Sequence, residues 1–159
     1  MSAPPQIDVR LDEGAESGLA DMMAQLLRQN LEEDARKRRL ASRLRGRLAV
    51  TATDYETSAT AAFSGGAVLI SDGIVEPVDA TIAGPHRRLT KVLTGEASPL
   101  WEHLRGRLRV SSSVRKPFFP LRVHSLMKVP STERRGIPWP RIVLAGAGVA
   151  VIAIAVRSL

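Results

Sequence analysis

The spacing of apolar residues changes partway along the chain, and this change is what most constrains the fold. From Leu19 to Leu31 apolar residues recur every three or four positions, which is the period of one helix face. From Leu48 to Phe63 they alternate with other residues, which is the period of a half-buried strand. A helix followed by neighbouring strands predicts an α+β domain, which we place at residues 17 to 129.

The first helix has recognisable start and stop signals. Ser17 is a suitable N-cap, and Asp21 falls in the first turn, where its charge favours the helix dipole. A basic run at residues 36 to 39 follows, after which the apolar pattern resumes. Gly46 predicts the end of the helix.

Turn residues divide the next segment into short strands. The alternating runs end at residues 54 to 56 and 64 to 66, both rich in turn-forming types. A short apolar run at residues 67 to 71 follows, and residues 80 to 82 form a further strand. These runs predict an antiparallel meander.

The second half of the domain returns to short helices. Two are predicted, at residues 84 to 95 and 98 to 106, each opened by a proline and closed by a glycine. A last strand at residues 108 to 110 and a final apolar segment at residues 121 to 127 follow. The apolar residues expected to face the sheet from the two helices are Leu89, Val92, Leu93, Leu100, Trp101 and Leu104.

One short sequence occurs twice, as LRGRLAV at residues 44 to 50 and LRGRLRV at residues 104 to 110. Two copies are too few for a repeat architecture. We interpret each copy as a junction in which a glycine ends a helix before a strand begins. The alternative is a headgroup-binding Arg-Gly-Arg site.

The C-terminal end of the chain is strongly apolar. Residues 142 to 156 contain no polar side chain, and they follow a Pro-bearing basic linker at residues 130 to 140. As a helix the run spans about 22 Å, against a hydrocarbon core of about 30 Å, and flanking residues make up much of the difference. We predict a transmembrane tail-anchor helix over residues 141 to 159. A buried element of the domain core is the alternative.

Charge is distributed unevenly along the chain. Residues 1 to 16 are predicted to be a disordered acidic arm, without an apolar signal segment. The C-terminal third is basic and would attract the anionic headgroups of a membrane. The domain is therefore expected to be membrane-associated on the cytoplasmic side, and not secreted. Nucleic acid is not expected as a partner, because aromatic residues make up only 4% of the chain and no reading helix is evident.

The sequence offers no constellation of residues suited to catalysis or to metal binding. It has no cysteine, and His86, His103 and His124 do not follow any metal-ligand spacing. Asp72 and Asp79 are better explained as turn-forming residues than as a carboxylate pair. We therefore expect no enzymatic activity, no cofactor and no metal.

The stretch from Gly46 to Val129 resembles the sterol carrier protein type 2 family. The strongest match is residues 80 to 110, ATIAGPHRRLTKVLTGEASPLWEHLRGRLRV. Within it, a strand precedes a helix that ends in Leu-Thr-Gly at residues 93 to 95. Pro99 follows after a short gap, and Gly-Arg-Leu-Arg-Val at residues 106 to 110 resembles the last strand of the family.

The resemblance implies a five-stranded, mostly antiparallel sheet, covered on one face by helices that enclose an apolar cavity. It implies a sterol, fatty acyl, phospholipid or isoprenoid ligand, and no catalysis by the domain. The lipid-binding residues implied by matching position are Phe63, Val68, Ile70, Ile82, Leu89, Val92, Leu93, Trp101, Leu104, Leu108, Val110, Leu121, Val123, Leu126 and Met127.

Together with the tail, the resemblance predicts a protein that binds a lipid and transfers or presents it at a membrane. The alternative is an accessory scaffold subunit for membrane enzymes that modify lipids or quinones.

Overall fold

Six strands and five helices form the part of the chain that the computed structural model describes, residues 5 to 129. The strands are β1 (Asp8–Leu11), β2 (Arg45–Ala52), β3 (Thr57–Ser64), β4 (Ala67–Asp72), β5 (Ala80–Gly84) and β6 (Arg109–Ser112). The helices are α1 (Gly18–Glu33), α2 (Ala35–Arg43), α3 (His86–Leu93), α4 (Pro99–Leu104) and α5 (Phe119–Met127). The predicted α+β class is confirmed.

The predicted membrane helix falls outside this part of the chain. Residues 130 to 140 (the linker) and residues 141 to 159 (the tail) are not among the described residues. Within residues 5 to 129, no helix combines the length and the apolar character needed to cross a bilayer.

All six strands form one mixed sheet in the order β1-β4-β3-β2-β5-β6. The pairs β2–β3, β3–β4 and β5–β6 are antiparallel, whereas β1–β4 and β2–β5 are parallel. The predicted five-stranded, mostly antiparallel sheet is therefore wrong in its strand count. The predicted meander is confirmed from β2 to β4. After β4 the chain crosses over β3 and β2 and adds β5 beside β2. A crossover connection of this kind joins parallel strands, so β5 runs parallel to β2.

The additional strand lies in the segment predicted to be disordered. In the pairing of β1 with β4, Val9 is opposite Val68 and Leu11 is opposite Ile70. Val9 is buried and Leu11 is half-buried. Two alternating apolar residues therefore suffice for an edge strand, despite the acidic surroundings. The prediction of disorder over residues 1 to 16 does not hold for β1.

The two faces of the sheet differ in chemistry. On one face Leu48 is opposite Ala61 on one side and Ala80 on the other, and Val50 is opposite Ile82. All five of these residues are buried, so this face is aliphatic. The opposite face carries small polar residues on alternate positions, namely Thr51, Ser58, Thr60, Ser71, Thr81 and Ser111.

The helices pack on the aliphatic face, as predicted. α1 contacts β1, β3 and β4, and α5 contacts β2 and β5. α3 also contacts β5, and α4 contacts β6. Four helices therefore share the cover of the sheet, whereas α2 packs on α1 and α5. Apolar burial beneath the helices supplies the main stabilisation of the domain.

The first helical segment is two helices rather than one. Ser17 Oγ accepts a hydrogen bond from the Ala20 N–H at 3.1 Å, which confirms the predicted N-cap. The chain leaves the helix at Asp34, whose carboxylate accepts a hydrogen bond from the Arg36 N–H and so caps α2. A short acidic side chain can compete in this way with the helical hydrogen bonds, and the apolar period alone did not reveal it.

A buried amide joins the ends of three helices. Asn30 Nδ2 in α1 donates to the Leu26 carbonyl at 2.8 Å and to the Met127 carbonyl in α5 at 2.9 Å. Lys37 in α2 donates to Asn30 Oδ1 and to the Lys128 carbonyl. Burial lowers the pKa of Lys37, because the charged ammonium loses water there. These contacts fix α1, α2 and α5 relative to one another.

Gly46 does not end a helix, contrary to the prediction. α2 ends at Arg43, and Gly46 lies inside β2 with a φ of 145°. A Cβ atom at this position would lie 2.7 Å from Asp79 Oδ2 and 2.9 Å from Phe119 Cε2. Glycine is therefore required by the close approach of β2 to α5, and not by a helix terminus.

The second copy of the repeated sequence does behave as predicted. α4 ends at Leu104, Arg105 is its C-cap, and Gly106 follows with a φ of 67°. The two copies therefore share a sequence but not a structural role, because Gly46 packs against Asp79 and Phe119, whereas a Cβ atom at Gly106 would have nothing within 4 Å.

We predict that Gly46→Ala lowers the free energy of unfolding by about 1–3 kcal/mol, because the new methyl group meets two fixed neighbours in strained backbone. Gly66→Ala, in the β3–β4 hairpin, is the matched control, because a Cβ atom there has nothing within 4 Å. Its effect should stay below about 0.5 kcal/mol. Urea denaturation measures both, and equal effects would contradict the packing role of Gly46.

Candidate functional site

The interior between sheet and helices holds most of the predicted lipid-binding residues. Eleven of the fifteen are buried there, and their side chains form one aliphatic layer. Val110 is half-buried and packs against this layer. The eleven buried residues are Phe63, Val68, Ile70, Ile82, Leu89, Val92, Leu93, Leu108, Val123, Leu126 and Met127.

The other three predicted residues lie on the surface. The exposed fractions are 61% for Trp101, 54% for Leu104 and 40% for Leu121. The structure does not bring them into the interior layer. For Trp101 and Leu104 the reason lies in the orientation of α4.

Helix α4 is turned the opposite way from the prediction. Its apolar residues Leu100, Trp101 and Leu104 are exposed, whereas Pro99 and Glu102 are buried. The inward face therefore carries a carboxylate, and the outward face carries an indole and two leucines. A helix that breaks the usual apolar-inside pattern marks a place where function is to be sought.

Polar contacts near the start of β6 hold α4 in this orientation. The N–H groups of Arg107 and Leu108 both donate to the Glu102 carbonyl, at 2.9 and 3.2 Å. The Val110 N–H of β6 donates to His103 Nδ1 at 3.2 Å. The backbone of the turn after α4 therefore fixes the helix, and little apolar burial is involved.

The Glu102 carboxylate lies between two arginines. It is 5% exposed, and Arg88 Nη1 lies 3.7 Å from Oε2 while Arg107 Nη1 lies 3.8 Å from Oε1. Both separations exceed hydrogen-bonding distance. Oε2 is buried and has no hydrogen-bond partner among residues 5 to 129. Buried oxygens of this kind are rare in folded proteins.

An open groove of about 450 Å³ lies beside Glu102. This volume is in the range of small-molecule binding sites. The groove is lined by residues of α3, of α4 and of the turns around them, namely Arg88, Lys91, Glu96, Ala97, Ser98, Trp101, Glu102, Arg105 and Arg107. Four cationic and two acidic side chains give the lining an excess of positive charge. We call it the α4 groove.

Neither Glu102 nor its arginines were predicted from the sequence as site residues. A signal was present, because Glu102 is the only acidic residue between Ser98 and Val110, a stretch that contains three arginines. The apolar spacing of Leu100, Trp101 and Leu104 instead predicted that this side of the helix faces the sheet.

The histidines and the loop aspartates do not form a reactive centre. His124 in α5 has a buried Nε2 without a partner among the described residues, and burial lowers its pKa. Asp72 accepts hydrogen bonds from the N–H groups of Glu16 and Ser17, and Asp79 accepts from the Arg47 N–H and from Lys116 Nζ. Over residues 5 to 129, no group of three or more side chains is placed to hold a metal ion.

Comparison with solved structures identifies the fold. The chain is similar to a structure described as "UbiJ-SCP2 Ubiquinone synthesis protein", with 21% identity over 69% of this chain and 92% of the other, at a TM-score of 0.54. It is also similar to the sterol carrier protein domain 2 of Helicoverpa armigera, with 12% identity over 72% of this chain and 91% of the other, at a TM-score of 0.50. No family profile and no curated protein sequence matches the chain.

These similarities show that the chain has the fold of the sterol carrier protein type 2 family, as its sequence predicted. The alignment covers more than nine-tenths of each similar structure, so the match extends beyond a single motif. At this level of identity, the similarity establishes the fold and leaves the ligand to the chemistry of the site.

We predict that Leu93→Ala and Leu104→Ala differ sharply in their effect on stability, although the substitution is the same. Leu93 is only 3% exposed, so its truncation should cost about 2–5 kcal/mol. Leu104 lies on the outer face of α4, and its truncation should change the free energy of unfolding by less than about 0.5 kcal/mol. A large loss for Leu104→Ala in urea denaturation would show that α4 faces inward instead.

Proposed function

We propose that this protein binds a lipid between its helices and its sheet, and that it transfers or presents the lipid at a membrane without changing it chemically. The observation that carries the proposal is the aliphatic layer enclosed by a sterol-carrier fold. Both similar structures carry a sterol-carrier description, which supports a lipid as the class of ligand.

The composition of the layer suits a flexible hydrocarbon ligand. Its sheet side mixes the small residues Ala59, Ala61 and Ala80 with branched residues such as Val50 and Ile82. Leu89 and Val92 of α3 are fully buried against this side. Each methylene of a bound chain that leaves water contributes about 0.8 kcal/mol. Affinity therefore needs no dedicated polar group, and selectivity among lipids would be broad.

The short helices at the edge of the layer offer a route for the ligand. α3 has eight residues and α4 has six, and α4 packs mainly on β6. Segments with little buried apolar surface open at the lowest cost in free energy. We propose that displacement of α4, whose only buried residues are Pro99 and Glu102, admits the lipid chain to the layer.

The outer face of α4 suits contact with a bilayer. Trp101 and Leu104 are exposed beside the cationic side chains of Lys91, Arg105 and Arg107. Tryptophan and leucine enter the interface of a bilayer, and nearby cations attract its anionic headgroups. We propose an anionic bilayer surface as the partner of this face.

The apolar tail completes the proposal. The fifteen apolar residues from 142 to 156 are well suited to a tail anchor. The basic residues before them would keep the lipid-binding domain on the cytoplasmic side. Such an anchor would restrict the protein to lifting or presenting lipid at one membrane. The accessory-scaffold alternative stays a hypothesis, which stable co-purification of a membrane enzyme would favour.

The first test concerns the interior. We predict that the chain ended at Val129 co-purifies with about one lipid per protein by native mass spectrometry, and that Val92→Trp reduces the lipid content severalfold. The larger ring would fill space that the lipid chain needs, because Val92 is buried beneath α3. Val114→Trp is the matched control, since Val114 is 76% exposed, and it should leave the lipid content unchanged.

The folded state of each variant is checked by circular dichroism. Should Val92→Trp unfold, the smaller change Val92→Leu takes its place. The interior-binding proposal fails if no lipid co-purifies and fluorescent fatty acids and sterol analogues also do not bind the unmodified domain.

The second test concerns the membrane-facing surface. Trp101 is the only tryptophan in the chain ended at Val129, since the other is Trp139. We predict that its fluorescence shifts to the blue on addition of phosphatidylcholine vesicles containing phosphatidylserine. Leu104→Ser should weaken binding to these vesicles about threefold to tenfold, because an exposed apolar side chain is lost from the contact. Salt should weaken it as well.

Val114→Ser serves as the control, because it removes an exposed apolar residue elsewhere on the domain. Equal losses for Leu104→Ser and Val114→Ser would indicate nonspecific adsorption and would remove the support for α4 as the membrane contact.

A further inference from the structure

We infer that the α4 groove binds the phosphorylated headgroup of a lipid, and that an ammonium or hydroxyl group on that headgroup donates to Glu102. The inference rests on the proposed function, because the groove would hold the polar end of the lipid whose chains belong to the interior layer. It names a class of ligand, phospholipids whose headgroup combines a phosphate with a hydrogen-bond donor.

The cationic side chains account for the phosphate. Arg88 and Arg107 flank Glu102 at 3.7 and 3.8 Å. Within residues 5 to 129, Lys91 and Arg105 form neither a salt bridge nor a side-chain hydrogen bond, although both line the groove. Arginine and lysine donors bind phosphate through charge-assisted hydrogen bonds. The four cationic side chains of the groove exceed its two carboxylates, Glu96 and Glu102, by two, which leaves a net positive charge for an anionic ligand.

The buried carboxylate accounts for the donor. Glu102 lines the groove, and neither of its carboxylate oxygens accepts a hydrogen bond from the described residues, because the two arginine nitrogens lie 3.7 and 3.8 Å away. A phosphate alone would leave the carboxylate without a hydrogen bond, because phosphate oxygens at neutral pH are mainly acceptors. An ammonium or hydroxyl group attached near the phosphate would donate to it. Cationic side chains together with an acceptor that lacks a hydrogen bond thus favour a headgroup that carries both a phosphate and a hydrogen-bond donor.

The position of Trp101 points to a lipid rather than a free phosphate compound. Its side chain lines the groove and is also exposed on the outer face of α4. A headgroup in the groove would therefore place only the first carbons of its attached chains beside this indole. A soluble phosphate compound would make no use of this contact.

The experiment uses the full chain in a nonionic detergent and measures affinity by calorimetry for three probes: inorganic phosphate, phosphoethanolamine and dihexanoyl-phosphatidylethanolamine. We expect phosphoethanolamine to bind tighter than phosphate, and the short-chain lipid to bind tighter still. Equal affinity for the two phosphoethanolamine compounds would overturn a lipid source and leave a site for soluble phosphates.

Two sets of variants test the roles of the residues. The double variant Lys91→Gln/Arg105→Gln should weaken all three probes about tenfold or more, because it removes charged donors that have no structural partner among residues 5 to 129. Glu102→Gln should abolish the preference for phosphoethanolamine over phosphate. Arg109→Gln is the matched control, since Arg109 is exposed on β6 and alternates with Val110 onto the other face of the sheet. It should change each affinity less than twofold.

An equal loss in Arg109→Gln and in the double variant would overturn the inference, since it would show a nonspecific response to net charge. Retention of the phosphoethanolamine preference in Glu102→Gln would overturn the role of the carboxylate. The lipid content of the same proteins is measured by mass spectrometry. Failure of the groove leaves the interior lipid in place, whereas failure of the proposed function leaves an empty interior whatever the groove binds.

Discussion

The structure depends on one aliphatic sheet face that must be removed from water. β2 lies between β3 and β5, so that Leu48 and Val50 are surrounded on both sides by alanine and isoleucine partners. The opposite face is small and polar, and Ala49 and Thr60 are its most deeply buried residues. Apart from Ala49, the buried apolar residues of the sheet lie on the other side, where α1 and α5 supply most of the contacts with the strands. The hydrophobic effect thereby determines where the helices lie.

Helix α4 is the exception to this arrangement, and the functional proposals follow from it. It directs Glu102 inward and Trp101 and Leu104 outward, which the burial of apolar surface alone would not produce. Hydrogen bonds from Arg107 and Leu108 to the Glu102 carbonyl fix this orientation. The result places an apolar surface, a cationic groove and an unsatisfied carboxylate oxygen next to one another. That combination is suited to the amphiphilic chemistry of a lipid.

Local sequence signals predicted the elements that depend on local physics. The N-cap at Ser17, the meander from β2 to β4 and the glycine after α4 were found because capping, alternation and turn chemistry act over a few residues. The fold family was also recognised, since its motifs occur in order along residues 80 to 110. Eleven of the predicted lining residues are buried together, because apolar residues at regular spacing share a face. Whether they contact a lipid stays a prediction.

The sequence by itself determined the α+β class, the aliphatic interior and the basic character of the chain, because period, composition and charge need no tertiary partner to be recognised. Only the tertiary structure decided that Asp8–Leu11 joins the sheet, that Gly46 packs against Asp79 and Phe119, and that α4 turns its apolar residues outward. Each of these depends on residues distant in the sequence: β4 for the first strand, α5 for the glycine, and Arg88 for Glu102. The α4 groove exists only because α3 and the turn after α4 meet around one carboxylate, and such a meeting is a property of the folded chain.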